Sequence, residues 1–422
     1  MKRYRLRDEM NAIPEPPGKV WFWELEAGVI DAGRCIQCGT CVAACPSNSI
    51  GVHRHSGLPE LVKMCTGCSL CWDFCPRGGL RYEALWPPST VTAEDEGVGA
   101  LETRTDSADT YWTITGGPPA DGLGSVLERY AVRSASRLEG VQDGGAVTAL
   151  LTGLLLAGAI DGALVSKPSD DPDEPWKGVP TIARTPAEVV AAAGSFYNQT
   201  MALSALDLSD CQLPVNPRIA VVGTPCEVQG IRAMQARRWA TGAHRVEAVV
   251  LTIALLCTKS FDYEALVRRE LASARRVDLG RVRKVDVTRG RMVVEYADGE
   301  RAVDEPVTAF HGAALKGCDE CGDFLGRSAD LSVGSVGSMD GWTSVLVRTE
   351  RGRQAFSEAR PRLDVRELDD PQALVRLDNL DKRIAERSLQ RKFDPDAPLF
   401  IDYAEHLRHY EGTDRRPVVQ HR

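Results

Sequence analysis

The stretch Cys35-Ile36-Gln37-Cys38-Gly39-Thr40-Cys41-Val42-Ala43-Ala44-Cys45-Pro46 decides how the first part of this chain folds. Its spacing returns at Cys65, Cys68, Cys71 and Cys75, again with a proline, Pro76, directly after the last cysteine. Each run reads C-x2-C-x2-C-x3-C-P, a spacing that suits a [4Fe–4S] cubane. Three closely spaced thiolates wrap one corner of the cubane, and the proline turns the chain so that the fourth points away. In two-cluster proteins with this spacing the fourth cysteine serves the other cluster. The expected ligand sets are therefore Cys35, Cys38, Cys41 and Cys75 for one cluster, and Cys65, Cys68, Cys71 and Cys45 for the other. Zinc usually takes two separated C-x2-C pairs rather than a duplicated four-cysteine run. Disulfides require an oxidising compartment, and no signal peptide opens the sequence: residues 1–7 are basic and 8–17 polar.

Composition sets the wider bounds. The chain has 422 residues, 43% hydrophobic and 26% charged, which is ordinary for a globular protein with two or three domains. Its net charge of −8 argues against a general nucleic-acid binder. No run approaches the ~18 apolar residues of a membrane helix. The richest stretch, 146–160, is broken by Thr148, Thr152, Gly153 and Gly158. Thirteen cysteines in a reducing compartment point to redox work, and a cytoplasmic location is expected.

The punctuation divides the chain. Residues 1–20 read as a tail and 21–85 as a bacterial-ferredoxin-like module held largely by its two clusters. Residues 86–124, rich in Pro-Pro, Ser-Thr and Gly-Gly-Pro-Pro, read as a linker. Residues 125–350 read as a mixed α/β domain, and 351–422 as a charged helical region. Helices are expected over 146–156, 228–238, 263–274 and 371–392, and strands over 162–165, 218–222 and 248–256. Segments 291–296 and 301–303 flank Asp298-Gly299, a hairpin signal. Strands alternating with helices suggest a largely parallel central sheet with added hairpins.

Five cysteines remain. Cys226 follows one strand in Gly-Thr-Pro-Cys and Cys257 ends the next, so both fall at carboxyl ends of strands, where α/β proteins keep their sites. Cys318 and Cys321 form a C-x2-C pair. By spacing alone, zinc, an iron–sulfur cluster and plain buried thiols are all open for these four. Cys211 reads as a small buried hydrophobe.

Four segments carry a resemblance: 142–148 (QDGGAVT), 193–197 (AGSFY), 223–232 (GTPCEVQGIR) and 317–349 (GCDECGDFLGRSADLSVGSVGSMDGWTSVLVRT). In this order they resemble the beta-subunit family of coenzyme F420 hydrogenase and dehydrogenase, a flavoprotein family in which a fused ferredoxin module also occurs. The resemblance implies a third [4Fe–4S] cluster on Cys226, Cys257, Cys318 and Cys321. It also implies an FAD site that draws on Ser332, Gly334, Ser335, Gly337, Ser338 and Trp342. Gln142, Asp143, Gly144, Gly145 and Thr148, ahead of a helix, are expected as flavin or phosphate contacts, with Ser195 and Tyr197 beside them. Many deazaflavin-using members of the family have lysine directly before this tyrosine; here the residue is Phe196. Lys167, Lys177, Arg232 and Lys316 are the cations available to compensate.

The resemblance implies an oxidoreductase subunit. Hydride from the deazaflavin coenzyme F420 would enter at FAD and leave as single electrons through the clusters, toward a partner such as a formate dehydrogenase or hydrogenase, or a soluble ferredoxin. NAD(P)H is the rival hydride carrier. A stand-alone ferredoxin-dependent reductase of an organic substrate is the rival architecture, as in 7-hydroxymethyl chlorophyll a reductase, and a relay with a decayed flavin site is the third reading. His311 is the one side chain considered as a catalytic contact, and a structural histidine is the plainer reading of it.

Overall fold

The two cysteine runs build a duplicated backbone. The computed structural model describes residues 21–80, 122–236 and 243–389, apart from 55, 139 and 210. The tail, most of the expected linker and the end of the C-terminal region lie outside these. The first helix, α1 (Phe22–Leu25), runs on into a π-type turn at Glu26–Ile30. Two short helices, α2 (Thr40–Ala44) and α3 (Leu70–Asp73), each carry the third cysteine of their run. Before each helix the chain turns left-handed at two places, Gln37 and Gly39 in one run, Gly67 and Ser69 in the other. That αL-x-αL pattern wraps the backbone around the second cysteine. A two-stranded antiparallel ribbon, β1 (Ile50–Val52) with β2 (Pro59–Leu61), joins the runs.

The second part is a large mixed sheet. Its strands are β3 (Glu128–Ser134), β4 (Gly162–Pro168), β5 (Gly178–Ala183), β6 (Ile219–Gly223) and β7 (Val249–Leu255). A separate three-stranded antiparallel sheet follows, β8 (Val282–Thr288), β9 (Arg291–Tyr296) and β10 (Arg301–Pro306). The chain then returns to the large sheet with β11 (Leu331–Gly334), β12 (Thr343–Val347) and β13 (Leu363–Glu367), in the order β13-β3-β12-β11-β7-β6-β4-β5. Only the middle is parallel, β11 to β7 to β6 to β4. The four outer pairings are antiparallel. The expectation of a largely parallel sheet is corrected to a parallel centre with antiparallel flanks. The alternating strand–helix signal exists only for the central strands, whereas β12, β3 and β13 reach the sheet through connections that reverse direction.

Helix α4 (Ala146–Leu156) buries its apolar side on this sheet with the side chains of Leu150, Leu151 and Leu154. Thr185 caps α5 (Pro186–Ala191) through a capping box with Glu188. Helix α6 (Pro225–Ala236) begins three residues before the expected start, which puts Cys226 inside its first turn. After α7 (Ala243–Glu247), the expected helix over 263–274 takes π-type geometry at Glu264–Ala274 and covers the three-stranded sheet. Helix α8 (Glu350–Ala359) precedes β13, and α9 (Pro371–Leu389) closes the described chain. Because β13 pairs with β3, the boundary expected at residue 350 falls inside one sheet. No helix among the described residues is long and apolar enough to cross a membrane.

Candidate metal and flavin sites

Short local turns aim the cysteine sulfurs inward. The Gln37 amide donates to Cys35 Sγ at 3.4 Å, and the Gly67 amide does the same for Cys65 at 3.4 Å. Ser49 N–H reaches Cys45 Sγ at 3.2 Å, and the Thr40 hydroxyl lies 3.3 Å from Cys38 Sγ. Donors of this kind favour a charged sulfur and shift cluster potentials. Cys35, Cys38, Cys41 and Cys75 line one cavity together with Leu25, Val29 and Met201. The fourth cysteine of the second run thus enters the first set. On the other side, the Cys71 thiol is pushed well up, by burial first and then by Cys68, Cys65 and Cys45. Cys75 thus lies with Cys35, Cys38 and Cys41, and Cys45 lies near Cys65, Cys68 and Cys71.

The third set is assembled from separated elements. Thr224 Oγ1 lies 3.1 Å from Cys226 Sγ at the start of α6, and the Cys257 amide donates to Phe324 O just past β7. Cys318 sits in the 3-10 turn Lys316–Glu320, and the Cys321 amide bonds back to Cys318 O at 3.1 Å. Burial raises the Cys257 thiol strongly, and Cys318 and Cys321 add to it. All twelve cysteines of the three sets are free of disulfides; Cys38, Cys41, Cys45, Cys71 and Cys226 are buried and the others half-buried. No group of three or more His, Cys, Asp or Glu among the described residues is drawn to the spacing of a single metal ion. All-thiol donor sets, amides aimed at sulfur and a cysteine-lined cavity fit a four-iron cubane. Cys211 is half-buried, apart from these sets.

The first and third sets meet. Ile36, Cys38 and Cys226 form one buried cluster, with Cys318 against it. Arg34 forks onto Glu320 with two bonds of 2.6 Å. Arg77, buried at 1% exposure, donates from Nε to Gly317 O at 2.6 Å. Arg245 on α7 reaches the Val42 and Ala43 carbonyls at the end of α2. Spacing rules did not single out Arg34, Arg77 or Arg245, because each acts across a junction between distant segments. The one available signal was the position of Arg77 directly after the Cys75-Pro76 pair.

The expected flavin residues divide. Gln142 and Tyr197 converge on Asp286 of β8: Gln142 Nε2 donates to Asp286 Oδ1 at 2.6 Å and the Tyr197 hydroxyl at 3.2 Å. Lys284 pairs with Asp286 at 3.0 Å, and the Val287 amide donates to the Tyr197 oxygen at 2.7 Å. Asp143, left-handed at φ 47°, is pushed up to about 6 by burial, with Asp286 adding and Lys284 opposing. Gly144 packs so closely on Arg133 and Val132 that no side chain fits, and Gly145 caps α4 at φ 67°. Thr148 is buried one turn into that helix and Ser195 is half-buried.

In the glycine-rich stretch, Ser335, Gly337, Ser338 and Trp342 lie in the loop between β11 and β12. Ser338 Oγ sits 2.7 Å from Ser344 Oγ, and Gly337 has φ 92°. The Trp342 ring has the guanidinium of Arg133 at 4.6 Å and that of Arg366 at 4.3 Å from its centroid. Asp340 of this loop pairs with Arg289 in the β8–β9 turn at 2.9 Å. By contrast, Ser332 is fully buried within β11; its hydroxyl accepts from Arg348 at 2.7 Å and donates to Gly326 O at 3.2 Å. Gly334 is packed against Leu256.

Phe196 packs against Gly178 and tilts toward Trp176, 6.3 Å between centroids. Among the compensating cations, Lys167 pairs with Asp170, Lys177 with Glu174 and Arg232 with buried Asp330, while Lys316 is exposed. His311 is exposed on the 3-10 turn Val307–Ala313.

Comparison with known proteins places this geometry among relatives. Residues 28–81 match the family described as 4Fe-4S dicluster domain. Residues 129–207 and 216–371 match the N-terminal and C-terminal parts of the family described as coenzyme F420 hydrogenase/dehydrogenase, beta subunit. The chain is 30% identical over 350 residues to the coenzyme F420-dependent sulfite reductase of Methanocaldococcus jannaschii, covering 79% of this chain. It spans about half of that reductase, 47% of its length. It is 32% identical over 240 residues to coenzyme F420 hydrogenase subunit beta of Methanosarcina barkeri, covering 56% of this chain and 80% of that one. A chain of the F420-reducing [NiFe] hydrogenase complex from Methanosarcina barkeri superposes with a TM-score of 0.59 at 28% identity, covering 64% of this chain and 93% of the other.

Proposed function

Since the chain belongs to the beta-subunit family of coenzyme F420 hydrogenase and dehydrogenase, we propose that it holds FAD and three [4Fe–4S] clusters and exchanges electrons with coenzyme F420. When bound, the flavin takes or gives hydride in two-electron steps and the clusters carry single electrons. The protein's own part is to hold these groups in order and to keep water from them. We assign Cys226, Cys257, Cys318 and Cys321 to the innermost cluster, Cys35, Cys38, Cys41 and Cys75 to the next, and Cys45, Cys65, Cys68 and Cys71 to the outermost. The observation that carries the order is the packing of Cys226 and Cys318 against Ile36 and Cys38. The clusters then form a line from the α/β domain to the far side of the ferredoxin-type module.

Gln142, Asp143, Tyr197 and the loop with Ser338 and Trp342 are the flavin contacts in this reading. They converge through Asp286 and the Arg289–Asp340 pair. Ser332 and Gly334 act beneath them as packing. The module spans 21–85 and the flavin domain 125–350, with β13 and α9 as part of the same body. A partner redox subunit, of hydrogenase or formate dehydrogenase type, receives or supplies electrons at the outer cluster.

Anaerobic purification with iron, sulfide and flavin quantification tests this, followed by stopped-flow mixing with reduced F420. About twelve iron per chain, one FAD and rapid bleaching are expected. Full iron and FAD with bleaching only by NADH or reduced ferredoxin would retain the architecture and replace the coenzyme, with Phe196 in place of lysine as its cause.

A further inference from the structure

Arg77 lies where the two inner thiolate sets meet. Its side chain is almost wholly buried, at 1% exposure. Nη1 donates to Pro76 O at 2.8 Å and Nε to Gly317 O at 2.6 Å. Pro76 directly follows Cys75, and Gly317 directly precedes Cys318. One guanidinium therefore bridges the carbonyls that flank a ligand of each set. Room for this is enforced by Gly317, where a Cβ would collide with the Arg34 carbonyl and Ile36.

We propose that Arg77 is a positioning and tuning residue for electron passage between the ferredoxin-type module and the α/β domain. The assignment rests on the cluster reading given above. Its fixed positive charge faces both sets and raises the reduction potential of both. An electron added to a cubane makes that site more negative, so a desolvated cation nearby stabilises the reduced form. In the transfer itself, one electron lost by one cubane is the electron gained by the other. No proton moves and no bond changes at Arg77. Because both sites rise together, the difference in potential between them is left nearly unchanged.

The test uses the full-length, anaerobically prepared protein with Arg77→Gln and Arg77→Lys variants. Iron and sulfide are counted, and each cluster signal is titrated by electron paramagnetic resonance against potential. For Arg77→Gln, both inner signals should fall by about 59 mV or more, a tenfold change for a one-electron couple, while the outer signal stays in place. Arg77→Lys, which keeps the charge, should change either inner equilibrium less than about threefold, or ~30 mV. A fully loaded Gln variant with unmoved inner potentials, or with all three signals shifted alike, overturns the assignment. If the Gln variant does not load its clusters, the Lys variant decides: retained potentials support the role, and a tenfold fall in both sinks it. A wild-type protein without three cubane signals brings down the cluster reading, and Arg77 with it. Three signals with an indifferent Arg77→Gln remove Arg77 alone.

Discussion

A methyl group at Gly317 would be driven into the Arg34 carbonyl, and the Gly317 carbonyl is held by Arg77. Gly317→Ala should therefore cost about 1–3 kcal/mol, as overpacking at a rigid contact does. It should appear as a lower melting temperature with iron lost first from the Cys318 set; an unchanged melt and full iron would refute the tight junction. Asp143 offers a second test at this scale. Its carboxyl is raised from the ordinary 3.8 to about 6, chiefly by burial. It binds its proton more tightly folded than unfolded, so its contribution is present below about pH 3.8 and lost as pH rises through about 6. Asp143→Asn should flatten stability across that window and raise the melting temperature at pH 7–8. A melt at pH 8 that is unchanged or lower would show that the carboxylate is compensated there. The dicluster pattern was legible from the sequence because it is written in local spacing, and residues 28–81 match the 4Fe-4S dicluster family. Asp286 was not, since its partners Gln142 and Tyr197 are far from it in sequence and nothing in a lone strand aspartate announces them.

At the scale of elements, α2 of the module rests on α6 of the sheet domain. The contact is so close at Gly230 that a Cβ would strike Thr40. Gly230→Ala alone should destabilise by about 1–3 kcal/mol. Combined with Thr40→Ala, which removes the obstructing hydroxyl and methyl, part of that loss should return. The double-mutant cycle reads this coupling directly; strict additivity would mean that the two helices do not press on each other. Elements were legible in proportion to how local their signals are. The hairpin of β9 and β10 followed from Asp298-Gly299, with Gly299 at φ 88° closing the turn. The central strands β6 and β7 were visible as apolar runs. By contrast β3, ERYAVRS, and β13, LDVRE, carry too many charges to look like sheet, because they lie on the flank of the sheet where arginines and carboxylates pair along its edge. The missed flank strands are what turned a parallel expectation into a mixed sheet.

For the molecule as a whole, the proposed crossed ligation makes a sharp demand. Cys45→Ser should abolish the outer cluster signal and lower iron from about twelve toward about eight. Bleaching by the hydride donor should survive while delivery to an external acceptor is lost. If the inner signal of the Cys35 set disappears instead, the ligands are not crossed. Strand ends and a C-x2-C pair could group the third set, but only the family resemblance named a cluster for it, since its members are spread from residue 226 to 321 and no spacing rule spans such a distance. The module has a further consequence for handling. Near Cys65 the surface carries Val62 at 56% and Met64 at 83% exposure, whereas Cys226 lies in the buried junction. On the proposed cofactor reading, loss of the outer cubane alone would leave a protein that still takes up reducing equivalents at the flavin, yet has lost its terminal. Assays that watch only the flavin would score such a preparation as intact.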